Sequence, residues 1–318
     1  MATDSPDISG EISVTQRKLT GPHSRIVFWV CVATSCFHIW SNTFGVLPEL
    51  QRNAIHFGLL LFVAFLLYPP VSGRPSSLVL DYVLAGLAAL TAIYLLLFEA
   101  DLHSRNQVPL LRDLVAATLA LILLLEITRR TTGLFIPTLA LLFLSYATVW
   151  GRFAPGMWRF PGVSFERILY RMYFAPDGMF GTIATVSSTF VALFVLFGAF
   201  LIKSGAGDFI LRVALAFLGR TIGGPAKMAV CASGLLGSIS GSAVANTVGS
   251  GSLTIPMMKR TGFSPTFSAA VEASASTGGQ LMPPIMGAGA FIMSQWTQIP
   301  YLTIVAVSFL PALMYFLS

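Results

Sequence analysis

Stretches without a formal charge divide the chain into apolar runs joined by short polar connectors. Ile26–Pro48 and Asn53–Gly73 hold no Asp, Glu, Lys or Arg, and Leu78–Phe98 holds only Asp81, near its start. A fourth run, about Leu111–Ile127, is closed by Arg129 and Arg130, and Gly133–Trp150 follows at once. Met179–Ile202 makes a sixth run, and Tyr301–Ser318 is apolar to its last residue. A helix needs about 20 apolar residues to cross roughly 30 Å of hydrocarbon, so the runs predict spanning helices. Two polar stretches keep a helical period. In Pro161–Gly178 the residues Phe165, Ile168, Leu169, Met172 and Tyr173 recur at helical spacing, with Glu166, Arg167 and Arg171 between them. That pattern predicts a helix lying in the membrane interface, and Trp150, Trp158 and Tyr173 suit the headgroup level. Gly207–Arg220 repeats the pattern with Asp208, Arg212 and Arg220 on its polar side.

Composition agrees. Of the 318 residues, 55% are hydrophobic and 10% charged, against roughly 25% charged in soluble domains. So little charge cannot cover a water-facing surface, and the fold class expected is an all-α integral membrane protein, a multi-span helical bundle. The net charge is +6, but the basic residues lie in connectors and form no stripe that follows phosphates, so nucleic acid is excluded as a partner. Arg17, Lys18 and Arg25 before the first run put the N-terminus in the cytoplasm. Arg152, Arg159, Arg167 and Arg171 then fall outside, against the same rule. Residues 1–22 are polar and lack a cleavable signal pattern, so a disordered tail is expected there. Cys31, Cys36 and Cys231 sit in apolar stretches without metal-site spacing and predict packing roles. Asp81 and Glu126 lie near span ends and predict interfacial positions.

One region breaks the pattern. Met228–Met258 is 31 residues without a charge, flanked by Lys227 and by Lys259 and Arg260. It is too long for one span and too short for two. Its middle, Gly237–Asn246, is dense in Gly and Ser, which weaken a helix and free backbone groups. Exposed backbone at membrane depth survives only where it is buried in protein or lines a cavity. The expectation is a re-entrant helical hairpin that builds a site, or a Gly-rich helix whose Gly237 and Gly241 serve packing alone. A second break follows: Thr266–Met282 ends in Ser276, Thr277, Gly278 and Gly279, and Pro283 and Pro284 bar helix continuation. A simple kink is the alternative there. Glu272, a carboxylate inside this apolar stretch, is a candidate coupling group, because such residues are costly without a partner or water.

Gly237–Asn246, Ile255–Gly262 and Ala273–Pro284 resemble the large membrane subunit of tripartite ATP-independent periplasmic (TRAP) transporters, of the DctM type. The likeness runs from about Gly133 to the C-terminus. The four preceding spans resemble the small membrane subunit fused in front, and Val271–Pro284 is similar to the fused subclass coupled to TAXI-type binding proteins. The resemblance implies a tail at 1–22, a four-helix small-subunit-like domain at 23–131, and a large-subunit-like transport domain at 132–318. It implies a permease in the bacterial inner membrane. A periplasmic solute-binding protein would deliver an organic anion of the carboxylate class, imported with Na⁺ or H⁺ by an elevator movement. It maps the hairpin tip onto Ser240, Gly241, Ser242, Ala243 and Asn246, with a Na⁺ site there as the one metal expected. The polar break maps onto Ser276, Thr277, Gly278 and Gly279. The family's large subunit holds two inverted repeats, and this sequence contains one hairpin block, so the first repeat alone is expected here, with a C-terminal repeat supplied by a continuation or a downstream chain.

Two other readings stay open. One is a membrane fragment or scaffold that transports nothing without a second chain. The other is an intramembrane enzyme, since Ser238–Gly241 superficially resembles the serine motif of rhomboid proteases; a serine nucleophile needs a base, and all four histidines, His23, His38, His56 and His103, precede it. No phosphate-binding loop is present, so no cofactor is expected and ATP is excluded as the energy source.

Overall fold

The computed structural model describes residues 16–70, 78–105, 108–175, 177–219, 221–283 and 286–318. Arg74, Arg220, Pro284 and residues 1–15 of the expected tail lie outside the described residues, as do the side chains of His103 and Asp208. All regular structure among the described residues is helical. Among the described residues, five helices are long and apolar enough to cross a membrane: Gly21–Thr43, Glu49–Leu67, Leu78–Leu102, Phe135–Phe153 and Thr182–Leu201. The chain divides into two compact units, Met1–Ser188 and Thr189–Ser318.

The first unit holds α1 (Gly21–Thr43), α2 (Glu49–Leu67), α3 (Leu78–Ser104), α4 (Leu111–Thr132), α5 (Phe135–Ser145), α6 (Phe165–Phe174) and α7 (Thr182–Val186). The expected fourth span is a 22-residue helix, but Arg112, Asp113, Glu126, Arg129 and Arg130 charge both its ends. The α5 run continues through a π-turn at Tyr146–Trp150. Small residues let these helices approach. Ala54, Ala85, Ala88, Ala92, Ala116, Ala117 and Ala120 are all buried. A Cβ on Gly58 of α2 would stand 2.7 Å from the Ala92 Cβ of α3. Lipid supplies no hydrophobic force between helices, so close backbone approach does the packing. The helix expected in the interface forms as α6. It turns Leu169, Tyr173 and Phe174 inward, and the Tyr173 hydroxyl donates to the Thr91 carbonyl.

Two buried polar networks tie this unit together. Asp81, expected at the interface, is fully buried instead. Its two oxygens take Arg17 and Arg130, each at 2.7 Å, and Arg130 also reaches Glu126 at 2.8 Å. The sequence could not show this, because Arg17 and Arg130 lie far from Asp81 along the chain. The second network joins α1 and α2 to the segment around α7. Asn53 donates to the Phe180 carbonyl at 2.7 Å and to Thr185 Oγ1 at 2.8 Å, and Ser188 donates to Asn53 Oδ1 at 2.6 Å. His38 Nδ1 lies 2.9 Å from the Ser188 carbonyl, so that nitrogen carries a proton. A neutral His38 then accepts at Nε2 from His56 Nδ1, 2.9 Å away, and His56 Nε2 accepts from Ser187 Oγ at 2.9 Å.

The second unit holds α8 (Ala192–Lys203), α9 (Ala206–Leu218), α10 (Gly224–Ser240), α11 (Ala243–Arg260), α12 (Pro265–Gly279), α13 (Ala288–Thr297) and α14 (Tyr301–Leu317). The amphipathic pattern at 207–220 forms α9, which packs on α10. The long uncharged run is a helical hairpin. Its arms are α10 and α11, of 17 and 18 residues, and they turn at Gly241 and Ser242. Gly241 sits at φ +64°, a left-handed conformation that glycine adopts at no steric cost. α12 packs against both arms.

Replacing Arg130 by Met should destabilise the chain by about 3 kcal/mol, since it strips one partner from a buried carboxylate. Adding Asp81→Asn to that variant should restore most of the loss. Thermal unfolding of the purified protein in detergent checks both values.

Candidate functional site

Three helices converge on one carboxylate. Glu272, eight residues into α12, is fully buried. Its Oε1 accepts from Ser233 of α10 at 2.8 Å, Ser250 of α11 at 2.5 Å and Ser276 of α12 at 3.2 Å. Its Oε2 accepts from Thr254 of α11 at 2.5 Å. Asn246 closes the cluster: its Nδ2 lies 2.8 Å from Ser233 Oγ and 3.0 Å from Ser276 Oγ. All six residues are buried. Among the described residues, no basic side chain forms an ion pair with Glu272. The partners of this carboxylate among the described residues are hydroxyls, and the Asn246 amide bonds two of those hydroxyls in turn.

Glycine makes the convergence possible. A Cβ on Gly279 would come within 2.7 Å of the Gly237 Cα, and one on Gly237 within 3.1 Å of Asn246 Nδ2. Gly278 meets Tyr315 in the same way. The α10 and α12 backbones therefore touch at Gly237 and Gly279. That contact sets the distance across which Asn246 and the serines bond.

The hairpin tip lies apart from this cluster along the same helices. Ser242 caps α11, its Oγ accepting from the Ala245 amide at 3.3 Å. Ser240 is exposed and makes only long bonds to backbone carbonyls, at 3.5 Å. A Cβ on Gly241 would stand 3.3 Å from the Met286 carbonyl, and one on Gly287 would stand 3.3 Å from the Gly241 carbonyl. The turn of the hairpin thus rests on Met286 and Gly287. Met286 holds φ +67° there, rare for a residue with a side chain.

A family model described as "Tripartite ATP-independent periplasmic transporter, DctM component" matches residues 119–318, well over half of the chain. The chain belongs to the DctM family. The chain is 36% identical over 94 residues to the "C4-dicarboxylate TRAP transporter large permease protein DctM" of Vibrio cholerae, covering 30% of this chain and 21% of that protein. The protein of the same description from Pseudomonas aeruginosa is 32% identical over 120 residues, covering 36% and 28%. The "Uncharacterized protein YgiK" of Salmonella typhimurium is 34% identical over 94 residues, covering 30% and 22%. The matched part is thus about a quarter, or less, of each relative's length. No solved structure matches the chain.

The DctM family is one of transporter permeases, and the hydrogen bonds run against the enzyme reading too. Ser238 Oγ donates to the Leu235 carbonyl of its own helix at 2.8 Å, while His38 and His56 bond each other and Ser187 and Ser188. Of the expected DctM site residues, Asn246, Ser276 and Glu272 come together. Ser240, Gly241, Ser242 and Ala243 form the tip as expected. Thr277 is exposed and bonds the Ala273 carbonyl. One expectation needs correction. Ser276, Thr277, Gly278 and Gly279 are not an unwound break but the last helical turn of α12, and the irregular segment begins at Gln280. The glycines stay helical because α10 presses on Gly279 and Tyr315 on Gly278, and the helix stops where Pro283 cannot donate.

Sequence reasoning missed Ser233, Ser250 and Thr254. A signal was present: Asn246, Ser250 and Thr254 recur every fourth residue, as do Glu272 and Ser276, which aligns each set on one helix face.

Gly279→Val should force α10 and α12 apart and lower stability by about 1–3 kcal/mol, as over-packing does. Thermal unfolding measures this, and Gly249→Val, at a position with open space for a Cβ, serves as the control.

Proposed function

We propose that this chain is the membrane permease component of a TRAP transporter, importing an organic anion of the carboxylate class with a coupling ion, Na⁺ or H⁺. The observation that carries the reading is the meeting of two interrupted segments: the hairpin turn at Gly241 against Met286 and Gly287. Interrupted helices are how secondary transporters place free backbone groups and half-helix ends at membrane depth. The N-terminus of α11, capped by Ser242, offers partial positive charge to a carboxylate. Ser240 and the carbonyls near the turn offer oxygens to a cation. Relatives described as C4-dicarboxylate permeases support the substrate class. On this reading a TAXI-type periplasmic protein delivers the solute to a chain seated in the bacterial inner membrane with its N-terminus in the cytoplasm.

The family build needs two inverted repeats with the site between them. The single hairpin here supplies one face, and a second repeat, on a continuation or a separate chain, supplies the other. Without it the chain would be a scaffold, and co-expression with such a repeat should be required for uptake.

Ser240→Ala, Ser242→Ala and Asn246→Ala should each reduce uptake by the complete system at least tenfold while membrane insertion stays normal. Uptake and ion dependence both unchanged would remove these residues from the site. The re-entrant course has its own test. In a background with Cys31, Cys36 and Cys231 replaced, single cysteines at Lys227 and Lys259 should react with an impermeant maleimide from one face of the membrane. Labelling from opposite faces would overturn the hairpin's role.

A further inference from the structure

The hydrogen bonds around Glu272 are unequal, and the inequality has a chemical meaning. Each hydroxyl has one proton to give. Asn246 Nδ2 lies 2.8 Å from both the Ser233 carbonyl and Ser233 Oγ and 3.0 Å from Ser276 Oγ, the two hydroxyls stand 2.9 Å from each other, and both lie within hydrogen-bonding distance of Oε1, at 2.8 and 3.2 Å. Ser250 adds a third, at 2.5 Å, and has a second acceptor of its own in the Asn246 carbonyl at 2.7 Å. Oε1 thus has three hydroxyls around it. Among the described residues Oε2 has Thr254 alone, at 2.5 Å, and Thr254 Oγ1 has a second acceptor within reach, the Ser250 carbonyl at 3.1 Å.

We propose that Glu272 is a proton-binding site, loaded at Oε2, with Thr254 as the hydroxyl that exchanges roles when the proton arrives. In the charged form Thr254 donates to Oε2. In the neutral form the new O–H of Glu272 donates to Thr254 Oγ1, and Thr254 turns its own proton to the Ser250 carbonyl. One O–H bond forms, on a proton taken from water, and it returns to water on release. No heavy atom has to move between the two forms, and every polar atom stays bonded in both. The surroundings favour this load over a metal ion. An oxygen-coordinated cation such as calcium holds its ligands at about 2.3–2.6 Å, which spreads neighbouring oxygens apart. The oxygens here stand at hydrogen-bonding separations from one another.

Charged and titratable groups on the packed helices lie elsewhere. Lys227 opens α10, Lys259 and Arg260 close α11, and Cys231 is exposed on α10. α12 carries no other charge. Tyr315 of α14 donates to the Ser274 carbonyl.

The functional meaning, a proton as the coupling ion, rests on the transporter reading; the binding itself does not. Infrared difference spectra of the 318-residue chain in lipid nanodiscs, recorded across pH, test it. A protonated-carboxyl stretch should appear on acidification, vanish in Glu272→Gln and ignore added Na⁺. Thr254→Val removes the donor to Oε2 in the charged form and the acceptor of the new O–H in the neutral form, so the protonated-carboxyl stretch should change frequency from that of the wild type. Thr254→Ser should keep the wild-type frequency. Absence of a Glu272 band at every pH where the chain is folded, its loss on adding Na⁺, or a Thr254→Val stretch at the wild-type frequency would each overturn the site. If the band behaves as expected while Glu272→Gln keeps the pH dependence of uptake by the complete system, the proton site stands and its coupling role falls.

Discussion

A carboxylate removed from solvent has to be met by donors, and among the described residues of the second unit no charged side chain pairs with it. Glu272 therefore dictates what faces it from three helices. α10 brings Ser233, α11 brings Asn246, Ser250 and Thr254, and α12 adds Ser276. Those side chains are short, so their helices must come close, and Gly237 and Gly279 are the residues that let them. The hairpin is thus held at its waist by a polar cluster and by glycine contact, while its tip is left to Met286 and Gly287.

The first unit solves a similar problem by the opposite means. Asp81 is as deeply buried as Glu272, yet two guanidinium groups neutralise it. A carboxylate fixed between arginines serves as a staple between the N-terminal segment, α3 and α4. A carboxylate ringed by hydroxyls can change state, because each hydroxyl serves as donor or acceptor with a rotation. On the proton-site proposal, the partners of a buried acid, more than its burial, decide whether it is structure or machinery.

Much of this was readable from the sequence. Charge-free length located the five helices long and apolar enough to cross a membrane, while the runs at about 111–127 and 301–318 form helices outside that set, and the impossibility of fitting 31 uncharged residues into one crossing gave the hairpin and its turn within a residue or two. The amphipathic helices at 165–174 and 206–218 followed from period alone. What escaped was of two kinds. Pairings between distant residues, such as Arg17 with Asp81, have no local signature. The last turn of α12 looked like a break because glycine-rich sequence is weak helix in isolation, and tertiary contact at Gly278 and Gly279 overrode that weakness. The hydroxyl cage was half visible: Asn246, Ser276 and Glu272 stood out as polar residues in apolar surroundings, whereas Ser250 and Thr254 show only through their four-residue spacing from Asn246, and Ser233 of α10 has no local signal.

The family match begins at residue 119, inside α4, yet the first packed unit extends to Ser188. Residues of family origin such as Tyr173, Phe180 and Ser188 are bonded to Thr91 and Asn53, which precede the match. Were the chain cut between those two groups, the same buried bonds would have to form between separate molecules, at the cost of losing the free translation and rotation of one of them. Continuity of the polypeptide holds the partners at a high effective concentration, so these polar contacts can be made without a large apolar interface to bring them together.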